Sequence, residues 1–87
     1  MNPTKLVIRQ AVYLLSDNPS QWVPLQCFAE HWYCMYGAPI DPHILHVETV
    51  YDFTRLLAGM GALSVEPDLY GNVYVRLSEL VSILLGT

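Results

Sequence analysis

The 87-residue chain is apolar for its length, with 53% hydrophobic residues, 14% charged residues and a formal charge of −4. A chain of this length forms one domain, and none of its apolar runs reaches the roughly 20 residues of a membrane-spanning helix. The N-terminus lacks the basic flank and apolar stretch of a signal peptide, so we expect no secretion. The few basic residues are dispersed, which disfavours a phosphate-backbone ligand and favours a protein partner.

The first predicted helix begins at Asn2-Pro3, where a capping residue precedes a proline suited to the first turn. Its apolar residues fall at helical spacing: Val7, Ala11, Leu14 and Leu15, with Leu6 at the edge of the stripe. The turn-forming segment 17–20 ends this helix. Trp22-Val23 is too short to form a strand alone, and we predict that it pairs with a later hairpin.

Pro24 opens a second predicted helix, from about Leu25 to Tyr36, and Gly37 ends it. Its apolar stripe and the aromatic residues around it form the predicted aromatic centre of the core: Trp22, Leu25, Phe28, Trp32, Tyr33, Met35 and Tyr36. A core this small cannot enclose every ring. We therefore expect Tyr33 or Tyr36 to be exposed and to contact a partner.

The two cysteines, Cys27 and Cys34, lie on one face of this helix, two turns apart. Two turns span about 10.8 Å, which exceeds the reach of a disulfide. We expect two buried thiols in a reducing compartment.

A bend separates the second helix from the third. Pro39 keeps Ala38 extended, and Asp41-Pro42 combines a good N-cap with a residue suited to the first helical position. From there the apolar residues of the third helix follow at Val50, Phe53, Leu57 and Met60. The rest of the chain is expected to pack around this helix–bend–helix unit.

Two short alternating segments, 63–66 and 73–77, flank a loop rich in turn residues and predict a β-hairpin. Ser78 is a good cap for a final short helix over 79–85. We expect the strand 73–77 to lie at a sheet edge, where it could pair with a second copy of the chain and form a homodimer.

This order predicts an α+β fold, a winged helix-turn-helix with three main helices, a short hairpin wing and a C-terminal helix. Residues 1–87 form one domain, with 78–86 as a helical extension. The predicted core consists of Leu14, Phe28, Trp32, Phe53, Leu57, Val65 and Val75.

Over residues 6–77 the chain resembles a LOTUS (OST-HTH) domain, the winged-helix module of Oskar, of tudor-domain germ-granule proteins and of limkain-type meiosis regulators. The resemblance rests on the order and spacing of several short motifs: Leu14-Leu15, Val23-Pro24-Leu25, Trp32-Tyr33, Tyr36-Gly37-Ala38-Pro39-Ile40, Leu45, Glu48-Thr49-Val50-Tyr51-Asp52-Phe53 and Leu56-Leu57. The family usually has glycine and an aromatic residue where this chain has His46-Val47.

The resemblance implies a cytoplasmic module of a post-transcriptional RNA regulator, with a location that extends to ribonucleoprotein granules. LOTUS domains with an added C-terminal helix bind the C-terminal lobe of Vasa-type DEAD-box helicases, and others recruit RNA-silencing or deadenylation machinery. The closing helix is apolar on all sides, which is unusual for a helix that faces solvent. The candidate partner-binding residues are Tyr33, Tyr36, Leu80, Leu84 and Leu85.

Direct RNA binding is the alternative, since some members of the resembled family bind G-rich RNA. The candidate stacking and charged residues are Tyr51, Arg55, Tyr70, Tyr74 and Arg76. Duplex DNA is disfavoured, because Glu48 and Asp52 of the third helix would repel phosphate.

We expect neither catalysis nor a cofactor. His43 and His46 lie three residues apart near Asp41, but a closed zinc site needs more ligands than these. Cys34 and His31 could form a nucleophile pair, yet no third group is evident that would orient them. The sequence also lacks a glycine-rich loop for phosphate.

Overall fold

A computed structural model of the chain describes residues 3–86 and contains four α-helices, one 3₁₀ helix and a three-stranded antiparallel sheet in that range. The elements in chain order are α1 (Pro3–Leu15), β1 (Val23–Pro24), α2 (Leu25–Tyr36), the 3₁₀ helix (Pro42–Leu45), α3 (Val50–Gly59), β2 (Leu63–Pro67), β3 (Val73–Leu77) and α4 (Glu79–Gly86). The predicted α+β class is confirmed. The predicted cap at Asn2 lies outside the described residues.

The helix ends follow from local side-chain and backbone chemistry. Gly37 ends α2 in the left-handed conformation, with φ 75°, and its N–H donates to the carbonyl of Tyr33 at 2.9 Å. The Asp41 carboxylate accepts a hydrogen bond from the N–H of His43 and so caps the start of the 3₁₀ helix. Thr49 Oγ1 accepts from the N–H of Asp52 at the start of α3, and Ser78 Oγ from the N–H of Val81 in α4.

The 3₁₀ helix ends at His46, which has φ 63° and is the one non-glycine residue with positive φ among residues 3–86. Its N–H donates to the carbonyl of His43 at 3.0 Å. This turn redirects the chain into the start of α3, so that the 3₁₀ helix packs against both α1 and α3, with Leu45 buried.

The core lies between the helices and the inner face of the sheet. Six of the seven predicted core residues are buried: Leu14, Phe28, Trp32, Phe53, Leu57 and Val75. Val65 is half-buried and packs against this core. The Trp32 ring lies edge-on to three aromatic rings, with centroid distances of 6.0 Å to Phe28, 5.0 Å to Tyr36 and 5.9 Å to Phe53.

Three residues of the predicted apolar stripes are exposed, namely Leu6, Met35 and Met60. The buried face of α2 continues from Trp32 to Tyr36, four residues on, which leaves Met35 outside it. Met60 follows the last residue of α3 and caps it, so it does not extend the α3 stripe.

The prediction of buried cysteines is wrong, because Cys27 and Cys34 are both exposed. The face of α2 that enters the core is the one with Phe28 and Trp32. Cys27 and Cys34, seven residues apart, lie together on another side of α2, which is exposed.

The strand order is β1-β3-β2, so β3 is the central strand and its predicted position at a sheet edge is wrong. Val75 pairs with Val23 on one side and with Val65 on the other. This confirms the predicted short strand beside the hairpin, although it comprises Val23–Pro24 rather than Trp22-Val23. The edge strands are β1 and β2, and self-association itself stays a prediction.

Alternation along β3 separates the two faces of the sheet. Val75 and Leu77 are buried on the inner face, whereas Tyr74 and Arg76 lie on the outer face opposite Glu66 and Ser64. Within residues 3–86, the helices are all too short or too polar to cross a bilayer.

Candidate interaction surfaces

Helix α4 carries the most concentrated set of exposed apolar side chains. Ser78 caps the helix and Glu79 occupies its first turn, which favours helix formation at this position. Val81 packs against the core, and this contact fixes which side of the helix faces inward. The exposed residues are Leu80, Ile83, Leu84 and Leu85, with 64%, 57%, 64% and 51% of their surface accessible.

A shallow cleft beside α4 connects this helix to the sheet. Its lining includes Ser82 and Ile83 of α4, Arg76 at the end of β3, and Pro19 and Ser20 of the loop after α1. The apolar surface of α4 therefore borders polar groups on this side, as expected for a contact surface with a polar rim.

Of the two tyrosines predicted to contact a partner, only Tyr33 is well exposed on α2. Tyr36 is half-buried, and its hydroxyl donates to the carbonyl of Gln10 in α1 at 2.7 Å. Burial, with a further contribution from the nearby Tyr13 hydroxyl, raises the pKa of Tyr36. Tyr36 thus connects α1 to α2, whereas Tyr33 is available for contact.

The residues predicted to bind RNA occupy three separate places. On α3, the guanidinium of Arg55 lies over the Tyr51 ring, 5.7 Å from its centroid. Tyr70 is at the tip of the hairpin loop, where it is 89% exposed. Tyr74 and Arg76 lie on the outer face of the sheet. The structure therefore brings Tyr74 and Arg76 onto one surface and leaves the α3 pair and Tyr70 on others.

The outer face of the sheet contains a cation–π pair. The guanidinium carbon of Arg76 lies 4.6 Å from the centroid of the Trp22 ring, at the position next to β1. The Arg76 Nε atom is buried and has no hydrogen-bond partner among the described residues. Stacking on the indole therefore accounts for the position of the Arg76 side chain. The same contact holds the Trp22 ring in place.

Two adjacent grooves share Tyr74 as a common wall. The first has a volume of about 410 Å³ and is lined by Trp22, Glu66, Pro67 and Tyr74. The second, of about 470 Å³, has Tyr74, Pro24 and Leu25 in its lining, together with residues of the hairpin loop. The first groove is mainly apolar, with Glu66 as its charged residue. We call this pair of grooves the sheet groove.

The hairpin loop is organised by Asp68. Its carboxylate accepts hydrogen bonds from the backbone N–H groups of Tyr70 at 2.8 Å and Asn72 at 2.9 Å, from Asn72 Nδ2 at 3.0 Å and from the Tyr74 hydroxyl at 3.3 Å. The hydrogen bond from the Asn72 side chain, followed by the two backbone bonds and that from Tyr74, lowers the pKa of Asp68 below its ordinary value of 3.8. Asp68 thereby connects the loop to one wall of the sheet groove.

The sequence analysis assigned Trp22 to the core and did not single out Glu66 or Pro67. The alternation of Trp22 and Val23 already implied that only one of them faces inward. The sequence could not show which residue lies beside Trp22, because its position next to Arg76 depends on the register of β1 against β3.

Of the three histidines, His43 lies beside one other potential metal ligand, Asp41. His43 Nδ1 lies 3.5 Å from Asp41 Oδ1, and both side chains are exposed. Among the described residues, no group of three or more His, Cys, Asp and Glu side chains is placed to hold a metal ion.

No family model matches the chain, and comparisons with curated proteins and with solved structures likewise found no match.

Proposed function

We propose that the chain is a non-enzymatic interaction module of a post-transcriptional RNA regulator and that α4 is the centre of its protein-binding surface. The observation that carries this proposal is the exposure of four apolar side chains on one eight-residue helix. Leaving so much apolar surface in water is unfavourable, and a partner that covers it recovers that free energy.

The resemblance to LOTUS domains, with a winged helix-turn-helix fold, is part of the same proposal. It is supported by the order of the elements, in which three helices precede a hairpin and β1 pairs with that hairpin. His46 supports it too, because it adopts the left-handed conformation that glycine, the usual residue of the family here, adopts most easily.

The partner expected from the resemblance is the C-terminal lobe of a Vasa-type DEAD-box helicase, with a deadenylase or RNA-silencing subunit as the next to test. The charge of the chain adds one requirement. Eight acidic residues against four basic ones, with Glu79 on α4 itself, favour a partner whose apolar groove has a basic rim. We propose a cytoplasmic location that includes ribonucleoprotein granules.

The test is binding of the purified chain to such a helicase lobe, before and after nuclease treatment. Leu85→Glu should weaken the complex at least about tenfold, because it introduces a charge into a desolvated interface. Leu69→Glu is the matched control, since Leu69 is 97% exposed on the hairpin loop, away from α4. Equal binding by the Leu85 and Leu69 variants would exclude α4 as the contact surface.

Direct RNA binding is the second candidate, and the Tyr51–Arg55 pair on α3 favours it. A guanidinium over an aromatic ring offers both stacking and charge to an unpaired base. Arg55→Ala is the informative variant, because Arg55 is exposed whereas Arg76 is held by Trp22. Loss of all binding in Arg55→Ala, with Leu85→Glu unaffected, would favour the RNA function over the protein one.

A further inference from the structure

The sheet groove has features of a peptide site that are independent of α4. Two aromatic rings, Trp22 and Tyr74, and two prolines, Pro24 and Pro67, border two grooves that meet at Tyr74. Successive grooves separated by an aromatic ridge suit a polyproline II segment, whose three residues per turn present side chains to each groove in turn.

Both aromatic walls are held in position before any ligand arrives. Arg76 stacks on the Trp22 ring at 4.6 Å, and the Tyr74 hydroxyl donates to Asp68 Oδ2 at 3.3 Å. Rigid walls lose little side-chain entropy on binding, which favours affinity for a ligand that is itself pre-formed. Polyproline II segments are such ligands, because they keep this conformation without internal hydrogen bonds.

Charge decides between the possible occupants. Glu66 lines the first groove, and the Asp68 carboxylate lies behind Tyr74. Among the described residues, the cation on this face is Arg76, whose guanidinium is engaged by the Trp22 ring. Two carboxylates beside one engaged guanidinium disfavour a phosphate backbone and favour a ligand with a basic side chain.

We propose that the outer face of the sheet binds a proline-rich segment of a partner protein in the polyproline II conformation. Prolines occupy the grooves on both sides of Tyr74, and a flanking arginine or lysine pairs with Glu66. The residues that line it lie outside α4, although Arg76, which stacks on Trp22, also borders the cleft beside that helix.

The probe is a synthetic peptide of about ten residues with two prolines spaced by two residues and one flanking arginine. Titration into the labelled chain should shift the Trp22 indole N–H and the Tyr74 amide in NMR spectra. Trp22→Ala and Tyr74→Ala should each weaken binding about tenfold or more, as expected for truncated aromatic anchors. Tyr74→Phe keeps the ring and loses the bond to Asp68 that holds it in position, so it should weaken binding much less than Tyr74→Ala.

The basic residue is tested by a double-mutant cycle. Glu66→Gln should weaken binding of the arginine peptide but not of the same peptide with alanine in place of arginine. Leu80→Glu in α4 should leave peptide binding unchanged. Failure of this peptide site would therefore leave the proposed function of α4 intact, and failure of the proposed function would leave the peptide site intact.

Three outcomes would overturn the proposal. The first is equal binding of a control peptide with alanine in place of both prolines, or no shift at Trp22 at millimolar peptide. The second is tighter binding of single-stranded RNA to the same residues, which would assign the grooves to nucleic acid. The third is a dimer in sedimentation experiments that Trp22→Ala dissociates, which would assign them to a second copy of the chain.

Discussion

Phe53 is the residue on which the packing of α3 depends most. Its side chain is fully buried and lies edge-on to Trp32. Phe53→Ala should lower the free energy of unfolding by about 3–5 kcal/mol, because it removes buried apolar surface and leaves a cavity. Tyr33→Ala is the control, since this ring is exposed and its loss should change stability by less than about 0.5 kcal/mol. Denaturant unfolding measures both, and similar values for the two variants would contradict this packing.

Asp68 makes the order of the hairpin loop dependent on pH. Hydrogen bonds to its carboxylate lower its pKa in the folded chain, so the contribution to stability is complete above the ordinary value of 3.8. It is lost as the pH falls through the lower, folded value. We expect the amide signals of Tyr70 and Asn72 to move together below that point, and Asp68→Asn to abolish the transition. A transition that persists in Asp68→Asn would assign it to another group.

At the scale of elements, two glycines at helix ends predict opposite effects of the same substitution. Gly37 ends α2 with φ +75°, a conformation that costs a residue with a Cβ about 1–2 kcal/mol. Gly59 is the last residue of α3 and is not among the glycines with positive φ. Alanine there stabilises a helix by up to about 1 kcal/mol.

A Cβ at either glycine would meet no atom within 4 Å, so backbone conformation alone decides the sign. Gly37→Ala should lower the midpoint of thermal unfolding, and Gly59→Ala should raise it or leave it unchanged. The same sign for both variants would contradict the left-handed end of α2.

At the scale of the whole molecule, charge predicts how partner binding responds to salt. A complex that neutralises six to ten phosphates loses about 10³–10⁵ in affinity between 50 and 200 mM salt. This chain has four cationic side chains in all, and its proposed contact surface on α4 is apolar. We expect its affinity for the protein partner to change less than about tenfold over that range, measured by calorimetry. A steeper loss would point to a phosphate-bearing ligand instead.

Local chemistry in the sequence was enough to predict several ends of the helices, although not that Pro42–Leu45 forms a separate 3₁₀ helix before α3. Gly37, Asp41 and Ser78 act on backbone groups within four residues, so their roles could be derived without knowledge of the fold. The alternation of β3 also predicted which of its side chains face the core. These features depend on contacts between residues that are close together in the chain, so they can be predicted from the order of the residues.

Tertiary structure alone decided which faces of these elements are exposed and which segments lie side by side. The exposure of Cys27 and Cys34, the central position of β3 and the place of Trp22 beside Arg76 all depend on pairing between segments distant in sequence. Periodicity indicates that a helix or strand has an apolar face, but a chain with one small core has too few layers to cover every such face. Which faces remain exposed is set by how the helices and strands pack together, and in this protein that packing left α4 and the sheet groove at the surface.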